Sequence, residues 1–72
     1  MKDVYLISFR YGVSEYNDID NYHDDFIIIN RPLARSEDPK DLIYKYLWLR
    51  YPNMRTVGVN SIKIEKKQIA IL

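Results

Sequence analysis

Apolar and polar positions in this chain first alternate, then run together, then recur at helical spacing. Over residues 3–11, Tyr5, Ile7, Phe9 and Tyr11 share one face of a period of two, and Val4, Leu6, Ser8 and Arg10 share the other. This alternation, rich in β-branched and aromatic residues, predicts a strand whose first face builds the core. Val4 and Leu6 leave the second face partly apolar. Gly12 is read as the break that ends the strand. An acidic, turn-rich loop follows at about 12–25, with Glu15, Asp18, Asp20, Asp24 and Asp25 interleaved among Asn17, Asn21 and Tyr22. Phe26-Ile27-Ile28-Ile29 is apolar on both faces, which predicts a central strand. Asn30-Arg31-Pro32 is its stop.

The next pattern is helical, from Asp38 to Tyr51. Asp38 is an N-cap, since its carboxylate can accept from the free amides of the first turn. Pro39 stands at the first helical position, where a missing N–H costs nothing. Pro52 drives Tyr51 out of α geometry and closes the other end. On a wheel of about 100° per residue, Leu42, Ile43, Tyr46 and Leu47 form a stripe toward the sheet. Tyr44, Trp48 and Tyr51 form a second, aromatic stripe at i, i+4, i+7, bordered by Lys45 and Arg50.

Thr56-Val57-Gly58-Val59 begins a further strand. Its alternation slips at Asn60-Ser61 and resumes at Ile62 and Ile64, so a β-bulge is expected there to keep the apolar residues on one face. A hairpin through Glu65-Lys66-Lys67-Gln68 would give a fourth strand over residues 68–72, although the turn lacks an Asn-Gly type signal. The resulting fold class is α+β: one domain over 1–72, an antiparallel sheet of three or four strands packed on one helix, in the order strand-strand-helix-strand.

Composition narrows the function classes. A chain of 72 residues without cysteine has neither disulfides nor thiolate metal sites, so packing or a partner must supply its stability. A net charge of +1 selects no strongly charged partner. No apolar run approaches the roughly 18 residues of a membrane span, and Met1-Lys2-Asp3 has no signal-peptide core. The expectation is a cytoplasmic protein without membrane association. Abundant Ile, Tyr, Asn, Asp and Lys with scarce Gly and Ala fit an AT-rich coding sequence, as in low-GC bacteria and their phages.

Candidate chemistry is sparse. Asp18, Asp20 and Asp24 alternate like the start of a calcium loop, yet His23 replaces the required glycine and Ile29 the bidentate glutamate. His23 has no second His or Cys to make a transition-metal site, so no metal and no cofactor are assigned. One histidine, no cysteine and only Gly12 and Gly58 leave neither a nucleophile–base pair nor a phosphate loop. The chain reads as a non-enzyme. The clustered carboxylates either mimic nucleic-acid phosphates toward a basic partner or serve solubility.

A single helix on a small sheet needs one apolar stripe, and this one carries two. The surplus points to a protein partner or a second copy, bound through Tyr44, Trp48 and Tyr51 with Lys45 and Arg50 at the rim. The acidic Asp18, Asp20, Asp24 and Asp25 are assigned to the same binding function. The competing expectation is that the acidic loop or the C-terminal segment folds over the aromatic stripe and completes a monomer core. A nucleic-acid surface built on Arg10, Arg50, Arg55, Lys63, Lys66 and Lys67 is the alternative, which the near-zero net charge disfavours. A homodimeric structural module is a further one.

Phe26 to Asn30, the helix ending in Arg50-Tyr51-Pro52, and Val57 to Glu65 together give an outline that resembles the small strand-strand-helix-strand accessory proteins of phages and mobile elements. The resemblance covers roughly half the chain and is architectural. It implies a protein that binds and blocks or modulates a host macromolecule, such as a defence nuclease, in the host cytoplasm.

Overall fold

Alternation, capping and the bulge together produce four elements. In the computed structural model, which describes residues 1–16 and 18–70, these are β1 (Lys2–Ser14), β2 (His23–Ile29), α1 (Pro39–Arg50) and β3 (Thr56–Ile69). The strands form one antiparallel sheet of order β2-β1-β3. The odd-numbered residues of β1 face the helix. Ile7, Phe9 and Tyr11 are buried there against Ile43, Leu47 and Met54, with Ile27 and Ile29 of β2 and Val57, Val59 and Ile62 of β3 packed around them.

The helix boundaries follow from its caps. Asp38 accepts a hydrogen bond from the Lys40 amide at 2.9 Å, Pro39 begins the helix, and the Tyr51 amide donates to the Leu47 carbonyl at 2.7 Å. The bulge falls at the expected place. Ser61 has φ 56, the register shifts between Ser8 and Arg10, and Ile62 thereby joins Val57 and Val59 on the core face.

Four details depart from the sequence reading. Gly12 does not end β1, which runs on to Ser14 because Gly12 pairs in register with Gly58. The connecting loop is correspondingly shorter, and Asp24 and Asp25 belong to β2. That strand lies at an edge of the sheet, since β1 pairs with both others. No hairpin forms at residues 65–68. β3 continues through them to Ile69, because Lys63, Glu65 and Lys67 alternate onto one face, with Glu65 3.0 Å from each lysine ammonium. The expected fourth strand therefore has Gln68 and Ile69 inside β3 and Ala70 beyond it, while residues 71–72 lie outside the described residues.

The β1–β2 loop folds across the sheet face opposite the helix. A Cβ on Gly12 would fall on Ile19 Cγ2 and 3.0 Å from the Asn21 carbonyl oxygen. One on Gly58 would stand 3.3 Å from the Tyr22 hydroxyl. The paired glycines form a notch that Ile19 and Tyr22 fill, which is the close-approach use of glycine within a strand.

Between β2 and α1, Arg31 grips Glu37 with two parallel bonds of 2.7 and 2.8 Å, and the Ala34 amide donates to the same carboxylate. The fork lowers the Glu37 pKa to about 2. A carboxylate depressed in the folded state stabilises fully above its ordinary value of 4.5, and loses that contribution as pH falls toward 2. An NMR titration of the Glu37 carboxyl should find its midpoint near 2 in the parent chain and back toward 4.5 in Arg31→Ala. An unchanged midpoint in the variant would refute the fork as the cause.

Candidate functional site

The sheet side of α1 is spent on the core, so what the helix offers a partner lies on its flanks. Toward β3, Tyr44 and Trp48 are one turn apart and 36% and 56% exposed. With Lys45, Met54 and Val57 they line a shallow, mostly apolar groove. Met54 reaches its floor because the turn after the helix is tied at both ends. Its amide donates to the Tyr51 carbonyl at 3.1 Å, and the Arg55 amide to the Ser14 carbonyl at 2.8 Å.

Toward β2 the helix is polar. Asp25 Oδ2 accepts from the Tyr46 hydroxyl at 2.9 Å and from Arg50 at 3.0 Å, and Arg50 also donates to the Tyr46 oxygen. The Arg50 guanidinium lies 5.5 Å from the centre of the Tyr51 ring, a cation–π arrangement. Tyr51 is half-buried, with its hydroxyl 2.8 Å from that of Tyr11, whose ring packs beside His23. Burial first, and then the bond to Tyr51, push the Tyr11 phenol up to about 12. That shift carries its ionisation still further from neutral pH, the wrong direction for a nucleophile or base.

The structure thus separates the residues that the sequence grouped. Tyr44, Lys45 and Trp48 share the β3 flank. Tyr51, one residue past the helix, turns toward Tyr11, and Arg50 is engaged with Asp25. Asp24 projects beside Arg10, 3.9 Å away. Asp18 and Asp20 bracket Ile19 in the loop on the opposite sheet face, so this loop does not cover Tyr44 and Trp48. Met54, in the turn, and Val57, at the start of β3, were not assigned to the site from sequence because nothing local marks either as packing beneath a helix flank.

The basic residues are likewise spread over both sheet faces. Lys63 and Lys67 flank Glu65 on the face away from the helix, whereas Lys66 lies on the helix side near Asp3 at 3.5 Å. Arg55 stands apart with Glu15, Tyr16 and Asn53. Among the described residues no group of three or more His, Cys, Asp or Glu is arranged to hold a metal ion. No helix there is long and apolar enough to cross a membrane.

Together these features define a small α+β domain with one exposed aromatic groove. The chain matches no protein family, no curated protein and no solved structure.

Proposed function

We propose that this chain is a non-enzymatic protein-binding module that blocks or modulates a host macromolecule in the host cytoplasm, as the resemblance of its outline to small accessory proteins of phages and mobile elements implies. Its docking surface is the groove of Tyr44, Lys45, Trp48, Met54 and Val57. The observation that supports this reading is the exposure of Trp48 and Tyr44 beside an apolar floor. Aromatic anchors next to a pocket are what interface hot spots are made of. A nucleic-acid footprint has less support, because the basic residues lie on both faces and most sit beside carboxylates.

The test compares the parent with Tyr44→Ala/Trp48→Ala in pull-downs from the source host, alongside thermal melts. The double variant is expected to lose its partner while still melting in one cooperative transition, at a temperature lowered by the apolar area that the two partly covered rings give up. A variant that unfolds would show the stripe to be core. A variant that retains the partner would place the docking surface elsewhere.

A further inference from the structure

We propose that Asn60–Ser61, at the bulge of β3, is a self-modifying site at which Asn60 loses its side-chain amide and becomes aspartate or isoaspartate. Both residues are exposed, on a strand at the sheet edge. Ser61 and Ile62 stand where β1 has only Phe9, so neither has a partner in the strand register. In a regular ladder, pairing fixes each peptide plane, and a bulge interrupts that pairing. Ser61 in addition holds a left-handed φ of 56. Its hydroxyl donates to Asn60 Oδ1 at 3.0 Å. That bond draws the carboxamide toward the Ser61 peptide unit. It also sets a donor on the oxygen that gains negative charge when Cγ is attacked. Sequence singles out the same step. Asn17, Asn21, Asn30 and Asn53 precede Asp18, Tyr22, Arg31 and Met54, whose larger side chains crowd the attacking nitrogen, whereas Asn60 precedes a serine.

The chemistry needs only water. The Ser61 backbone nitrogen gives up its proton and attacks Cγ of Asn60, so a new N–C bond closes a five-membered imide. The Cγ–Nδ2 bond breaks, and Nδ2 leaves as ammonia with that proton. One water then opens the ring. Attack at Cγ returns aspartate, and attack at the main-chain carbonyl carbon gives isoaspartate, in which the chain runs through the side chain. Either product lowers the net charge from +1 by one unit. The new carboxylate stands at the register position opposite Arg10, in a surface dent shared with Asp20 and Tyr22. Isoaspartate also adds a backbone methylene at the step that turns Ile62 onto the core face.

The site uses no residue of the Tyr44–Trp48 groove, so the two proposals fail separately. The purified parent, kept folded at mildly alkaline pH and sampled over days, should gain single mass units and a more acidic chromatographic peak. Peptide mapping should place the first gain at Asn60, ahead of Asn17, Asn21, Asn30 and Asn53. The rate should rise with pH, because the attacking nitrogen must lose its proton. Ser61→Ala removes the hydroxyl donor and keeps a small residue. It should slow conversion at Asn60 in the folded chain more than in the same chain held unfolded in urea. The order among the asparagines is read on the parent alone and does not depend on how Ser61→Ala folds. A folded parent that leaves Asn60 intact, or converts another asparagine first, would overturn the proposal. So would equal slowing by Ser61→Ala in the folded and unfolded chains, since the contact across the bulge would then contribute nothing.

Discussion

Leu47→Ala is expected to cost about 2–5 kcal/mol of folding stability, the range for emptying a fully buried leucine site. Leu47 and its neighbour one turn back, Ile43, are both 0% exposed and sit where the helix presses on Ile7, Phe9 and Tyr11. The surroundings are unable to close over the loss easily. One side of the site is β1, held by strands on both flanks, and the other is a helix capped at each end. A domain of this size has a total stability of about 4–11 kcal/mol, so a single truncation removes a large share of it. Urea melts of Leu47→Ala and of Leu49→Ala make the comparison internal, because Leu49 is exposed on the same helix. The Leu49 variant should shift by about 0.5 kcal/mol or less. Equal shifts for the two would mean that the helix is not seated by this face.

Gly12→Ala carries the second large effect. The new methyl would collide with Ile19 Cγ2 and press on the Asn21 carbonyl oxygen, a backbone atom that yields only if the loop moves. Overpacking of this kind costs about 1–3 kcal/mol, offset by about 0.4–1 kcal/mol from the stiffer unfolded chain. Gly58→Ala should be milder, since its nearest neighbours are the tips of two side chains, the Tyr22 hydroxyl and Ile19 Cδ1. The double variant Gly12→Ala/Ile19→Ala distinguishes crowding from backbone conformation. If crowding is the cause, the two losses sum to more than the double variant shows, with a coupling of about 0.5–3 kcal/mol. Strict additivity would sink the notch explanation. Amide exchange in the loop should also accelerate in Gly12→Ala while exchange in the helix stays slow.

The same glycine shows where sequence reasoning runs out. A glycine within an alternating strand reads identically whether it breaks the strand or admits another segment. What decides here is the placement of Ile19 and Tyr22, several residues later. The helix was legible from local marks, because Asp38, Pro39 and Pro52 act through neighbouring atoms. The bulge was legible because an alternation that slips must be repaired to keep Val57 and Ile62 on one face. Strand order was not legible. Phe26 to Ile29 looks like a central strand because all four residues are apolar, yet Phe26 and Ile28 face outward at the sheet edge. Lys66-Lys67 resembles a turn until Lys63, Glu65 and Lys67 are seen to form an ion-paired row along one face. At the candidate site, the wheel brought Tyr44 and Trp48 together because four residues make about one turn. It does not extend to Tyr51, which caps the helix at φ −126 and ψ 73.

The central position of β1 also sets an order of assembly. β1 meets β2 across a short loop, but meets β3 only after the whole helix has been laid down, and the pairing of Lys2 with Ile69 spans nearly the full chain. Closing that long separation carries a large entropic penalty before any contact offsets it, so distant strand pairings form slowly. The β1–β2 hairpin with its helix is therefore the natural nucleus, and β3 docks last. Refolding should depend most on contacts such as Ile7 with Ile27, whereas truncations at Val57 or Val59 should mainly hasten unfolding. Before β3 arrives, β1 has one side open and β2 the other. For that interval the chain exposes two recruiting edges, and dilute conditions should favour clean refolding.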